Sequence, residues 1–291
     1  MELAGSLFLL LAIASSASMT LVLKLFQGGQ TNRYAILLGN YLTCIAVGFA
    51  VLSDKSAWLR PETQTGICGV IGGILFVAAL VLMQGSIGRN GAILTSAFAK
   101  LGVVVPLLVS ILFFGEKPGA VQALGLILVV ISIWVMNGGS LRGSAAGSIS
   151  PLLLLLVLLT AGAADGMAKV FEHFGNRAQD DVYILYVFAT AGLLAFLLLL
   201  REYAKTGRPG RPGEYAAGIL AGIPNYFSSF FLLKSLAYMP AFAAYTVFST
   251  GSVCLVALAC RLFWKERLTR RQAAGFVLIL AALALLNIPG N

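Results

Sequence analysis

The sequence predicts an all-α membrane protein: ten transmembrane helices, arranged as two inverted five-helix repeats around a central cavity. Three observations predict it. Of 291 residues, 59% are hydrophobic and 11% are charged, against about 25% charged in soluble domains. Apolar runs of about 20 residues, enough to cross a hydrocarbon core of about 30 Å, recur along the chain. The end of one half also returns 150 positions later. Leu112-Phe113-Phe114-Gly115-Glu116-Lys117 is echoed by Leu262-Phe263-Trp264-Lys265-Glu266-Arg267, and eight of the 26 aligned positions, 112–137 against 262–287, are identical. Self-similarity at half length in an apolar chain is the pattern of a secondary transporter.

The ten runs are 3–26, 33–52, 65–85, 91–114, 118–137, 151–172, 182–203, 214–237, 241–264 and 269–288. The first follows a start without basic residues and continues past the small residues Ala12 to Ser18. It reads as a transmembrane helix and not as a removable signal peptide. The Gly/Ser-rich stretch 138–150 reads as a flexible linker, leaving 1–137 and 151–291 as the two halves. The repeat extends outward from its clearest block. Gln84 faces Lys234, Phe98 faces Phe248 and Lys100 faces Thr250 at offset 150, and Lys24-Leu25-Phe26 faces Lys169-Val170-Phe171 at offset 145. An odd number of spans per half starts the second half on the opposite side of the membrane, so the halves are inverted. Gly69-x-x-x-Gly73 and Gly218-x-x-x-Gly222 mark spans that approach a neighbour closely.

The net charge of +9 would suggest nucleic acid in a soluble protein. Here most basic residues sit in short loops, where they set topology and do not bind nucleic acid. One side holds Lys55, Arg60, Lys117 and Arg177. The other holds Arg33, Arg89, Arg142, Arg201, Lys205, Arg208, Arg211, Arg261, Lys265, Arg267, Arg270 and Arg271. The excess places the second side in the cytoplasm and both termini outside. The four cysteines lie in apolar runs without metal-type spacing, and His173 has no second His, so neither a disulfide framework, a metal site nor a cofactor is expected.

The turn Phe113-Phe114-Gly115-Glu116-Lys117, with Gln122 and Gly125, resembles the F-x-G-E signature of the drug/metabolite transporter superfamily, EamA type. So does Phe263-Trp264-Lys265-Glu266-Arg267 with Gln272 and Gly275. Pro106, Lys24 and Lys169 fit the same pattern; Val256, where the first half has Pro106, departs from it. The resemblance covers essentially the whole chain. It implies a ten-helix carrier in the cell inner (plasma) membrane that moves small metabolites by alternating access, and it favours export. It does not name a substrate.

Lys100 is the most informative residue. An ammonium near the middle of span 4 costs about 2.5–3.5 kcal/mol on insertion scales, so it faces a wet cavity or a counter-charge. Either it binds an anionic substrate group or it belongs to a buried ion pair. Asp165 and Lys169 lie four apart on one face of span 6 and can pair with each other; alternatively Asp165 pairs with Lys100. Both are candidates for proton coupling. Further candidates for substrate contact are Asn225 and Tyr226 beside the helix-breaking Pro224, the hydroxyl-bearing Tyr245, Ser249 and Thr250 of span 9, Gln84, and Lys24 at the end of span 1. Against these stand packing roles, interhelical hydrogen bonds and, for Lys24, snorkelling to the headgroups. Glu116 and Glu266 read as structural charges at the starts of spans 5 and 10.

The expected function is secondary transport of a small polar metabolite bearing a carboxylate or phosphate. The alternative is a lipid or drug flippase or efflux protein of the same fold. One His and one deep Asp do not make an enzyme, and no phosphate-binding loop points to ATP. The expected partners are the substrate, the lipid bilayer and protons, with the protein a monomer or homodimer.

Overall fold

The computed structural model describes residues 2–26, 31–52, 54–105, 119–136, 150–236, 238 and 241–286. Ten α-helices lie among them: α1 (Glu2–Leu25), α2 (Arg33–Val51), α3 (Thr63–Asn90), α4 (Ala92–Lys100), α5 (Ala120–Met136), α6 (Pro151–Phe174), α7 (Asp180–Thr206), α8 (Pro212–Leu236), α9 (Ala241–Phe263) and α10 (Arg270–Leu286). Each overlaps one predicted run. Pro106, the first turn motif 112–117 with Glu116, and most of the 138–150 linker fall outside the described residues, as do the side chains of Lys169, His173 and Tyr245.

The surface is inverted relative to a soluble protein. Leu10, Ile67, Val130 and Leu193 are each more than half exposed, which is what helices solvated by lipid require. Among the described residues, four helices suffice by length and composition alone to cross a membrane: Ala4–Leu25 within α1, and α2, α3 and α7.

Two features differ from the sequence reading. The third helix runs on to Asn90, five residues beyond its expected end. The fourth gives way after Lys100 to a 3-10 turn, Leu101–Val103. A 3-10 stretch within a span often marks a hinge.

Helix contacts follow a regular scheme. α1 packs on α8 and α9, and α6 packs on α3 and α4; α2 packs on α8, and α3 on α7. The pairs α2–α7, α4–α9 and α5–α10 also touch. Exchanging every helix for the one five places on leaves this set of contacts unchanged. The glycine pairs sit at equivalent places in it. A Cβ at Gly73 would lie 2.6 Å from the Val187 carbonyl oxygen of α7, and one at Gly218 would lie 2.3 Å from the Ile36 carbonyl oxygen of α2. Backbones this close leave no room for a side chain, so both motifs serve packing within the chain.

Candidate functional site

Lys100 ends the nine-residue helix α4 at its junction with the 3-10 turn. Its half-buried ammonium lies over the Phe248 ring of α9, 4.0 Å from the centroid. A cation held on a ring face is partly compensated by the ring quadrupole, by about 0.5–2 kcal/mol. That is less than its cost of insertion, so the position calls for a further partner. Asp165, at mid-length in α6, is exposed, and it interacts electrostatically with Lys100. The two are not an ion pair: among the described residues the ion pair is Lys24–Glu266. Tyr183 of α7 also feels the Asp165 charge and stacks on Phe171 of α6, with ring centroids 4.1 Å apart. Thr250, the repeat counterpart of Lys100, has a buried hydroxyl without a hydrogen-bond partner. Lys100, Asp165, Tyr183 and Phe248 thus bring charges and rings from α4, α6, α7 and α9 to one region of the bundle.

Other candidates lie elsewhere. Asn225 is buried and donates to the Asn40 side-chain oxygen at 3.0 Å, across the α2–α8 contact. Tyr226 belongs to an aromatic cluster with Phe188, Phe227 and Phe230. Gln84 and Ser249 are buried. Lys234 is exposed beside the Phe230 ring.

Lys24 pairs with Glu266 and lies 5.6 Å from the Trp264 ring centroid. Glu266 lies in the turn before α10, as expected, and its carboxylate accepts the Ile93 N–H at the start of another helix, α4, 3.3 Å away.

Sequence reasoning missed Phe248 as a partner of Lys100 and missed Tyr183 altogether. Phe248 was marked only as the repeat counterpart of Phe98. Tyr183 carried no signal beyond being an aromatic at the start of a span.

Two clefts among the described residues do not include Lys100. One, of about 920 Å³, lies between the α7–α8 turn and the start of α2, lined by Thr31, Glu202, Arg208 and Arg211 among others. The other, of about 270 Å³, is a groove between α1 and α8 at Leu11, Ser15, Pro224 and Phe227. The larger cleft lies at the polar end of the bundle, where charged side chains are solvated at little cost. Lys100 is the stronger candidate, because a charge within an apolar span is costly and calls for a partner.

The chain resembles known proteins in sequence and in fold. An uncharacterized protein of Haemophilus influenzae is 22% identical over 284 residues, 94% of this chain and 95% of its own. A solved structure, described as the crystal structure of a protein, matches 98% of both chains with a TM-score of 0.63 and 15% identity, a likeness of fold alone. The family model of EamA-like transporters matches residues 148–288. The match, just under half of the chain, makes this second half similar to EamA-like transporters, and the long apolar helices are those expected of a multi-pass membrane protein.

Proposed function

We propose that the protein carries a small polar metabolite bearing a carboxylate or phosphate out of the cell, by alternating access and without ATP. Its two inverted halves, 1–137 and 151–291, would move against each other in the inner (plasma) membrane. The observation that carries this reading is Lys100, an ammonium at mid-depth whose nearest compensation is the Phe248 ring face. An anionic group arriving there replaces a weak cation–π contact with a charge-assisted hydrogen bond, which is about twice as strong as a neutral one. Asp165, exposed and within electrostatic reach of Lys100, is the group to exchange a proton as the anion comes and goes.

The groove between α1 and α8 favours a second reading, a flippase or efflux protein for lipids or drugs, because its walls at Leu11, Ile223 and Phe227 are largely apolar.

The test is the thermal midpoint of the detergent-purified protein against anionic, zwitterionic and cationic metabolites, beside Lys100→Met. An anion or zwitterion at a hundred times its Kd should stabilise by about 2.7 kcal/mol, and the effect should vanish in Lys100→Met. Stabilisation that survives the substitution makes Lys100 structural. Stabilisation by lipids or hydrophobic cations alone favours the flippase reading.

A further inference from the structure

Around Glu266, four separate segments meet at the membrane face that carries most of the basic loops. Lys24 arrives from the end of α1, Ile93 from the first turn of α4, Cys260 from the end of α9, and Glu266 itself from the α9–α10 turn. Both side chains of the ion pair are largely covered, 13% and 16% exposed for Lys24 and Glu266. The buried Cys260 touches Lys24. Gly91, at φ +83, faces the carboxylate so closely that a Cβ there would lie 2.4 Å from the Glu266 Oε1. The carboxylate therefore holds an ammonium and a helix N-terminus together, and the N-terminus of a helix favours negative charge.

What it holds leads directly to the site. α4 is nine residues long, about 13 Å at the α-helical rise. Glu266 sits at one end. Lys100 and the 3-10 turn sit at the other. A second set of bonds fastens the α3–α4 corner to the start of α6, the helix of Asp165: Asn90 accepts the Ser150 N–H at 2.7 Å and donates to Ser86, which shares a hydrogen bond with Thr95 of α4.

We propose that the Lys24–Glu266 pair is a latch that closes the substrate pathway at this face, with α4 as the rod that joins it to Lys100. The latch rests on the transporter reading for its purpose, but not for its test. In the closed form α1, α4 and α9 are clamped together and Cys260 is sealed behind them. Opening breaks the ion pair and the Ile93 bond together, frees the start of α4 to swing about the 3-10 turn, and exposes Cys260 to water.

The experiment follows modification of native cysteines by a water-soluble, membrane-impermeant maleimide on the full chain in open proteoliposomes, with the labelled residue identified by mass spectrometry and no substrate present. Lys24→Met and Glu266→Gln should each speed Cys260 modification about tenfold, the change that loss of about 1.4 kcal/mol from the closed state gives. The double variant should be no faster than the faster single, because both remove one interaction. Lys24→Arg, which keeps the pair, should match the parent. Cys44, buried in the separate α2–α8 contact, should stay unmodified throughout. The latch is overturned if Cys260 stays as protected in both single variants as in the parent, if their effects multiply in the double, if Lys24→Arg opens as Lys24→Met does, or if Cys44 becomes reactive in step. None of these results depends on the substrate, so failure here leaves the transport reading to be judged by ligand stabilisation alone.

Discussion

Single residues show where sequence reading stopped. Lys100 was legible because a charge inside an apolar run is anomalous whatever surrounds it. Glu266 was legible as part of a repeated motif, but its use was not. Its partners Ile93 and Lys24 lie 173 and 242 positions away, and only the folded bundle brings them to it. The chain before Glu266 turns through Lys265 at φ +53, the one positive φ at a non-glycine among the described residues. The first copy of the motif has Gly115 at that place, the residue such a conformation suits. Gly91 gives a sharp test. Its φ of +83 with ψ of 162 is a region open essentially to glycine alone, where other residues cost about 1–3 kcal/mol, and the Glu266 carboxylate fills the space besides. Gly91→Ala should therefore lower the thermal midpoint clearly more than Gly207→Ala, where φ is +64 but no atom lies within 4 Å of an added Cβ. Equal losses would mean that the carboxylate yields freely and is not held in place.

At the scale of elements, the ten runs of apolar residues gave ten helices, because lipid leaves no alternative for a backbone whose polar groups must bond within their own segment. The 3-10 turn at 101–103 escaped notice, since nothing apolar or polar in Leu101-Gly102-Val103 distinguishes it from helix. The small-xxx-small spacing announced close approach, yet not the partners, which proved to be α7 for α3 and α2 for α8. Two glycines of α3 separate the packing role from mere composition. A Cβ at Gly73 meets the Val187 carbonyl and Thr190, whereas one at Gly66 meets nothing within 4 Å. Gly73→Ala should destabilise by about 1–3 kcal/mol, the usual cost of overpacking. Gly66→Ala should be neutral or stabilise by about 0.5–1 kcal/mol through helix propensity. Unfolding midpoints in one detergent, measured for both variants, check the difference; a reversal would place the α3–α7 contact elsewhere.

For the molecule as a whole, loops on alternate sides should meet only their own kind, and the described contacts divide that way. At one end Asn32 donates its backbone N–H to Glu214, Lys24 pairs with Glu266, and Ser150 binds Asn90. At the other, Glu62 binds Gln179 and Asn176, and Tyr186 binds the Trp58 carbonyl. On the transport reading proposed above, five crossings per half would make the two halves inverted, and a rocking motion that opens one end would close the other. The Lys/Arg excess would further place the first end in the cytoplasm. Both steps can be read from two exposed positions, Gln64 near the second end and Thr206 near the first. In intact right-side-out vesicles, Gln64→Cys should react with an impermeant maleimide at once, and Thr206→Cys only after permeabilisation. The opposite result would keep the inverted fold and reverse its orientation, showing that charge in the loops does not set it here. Reaction of both in intact vesicles would place the two positions on one side, so that the count of crossings between them, and the inversion of the halves with it, would fall.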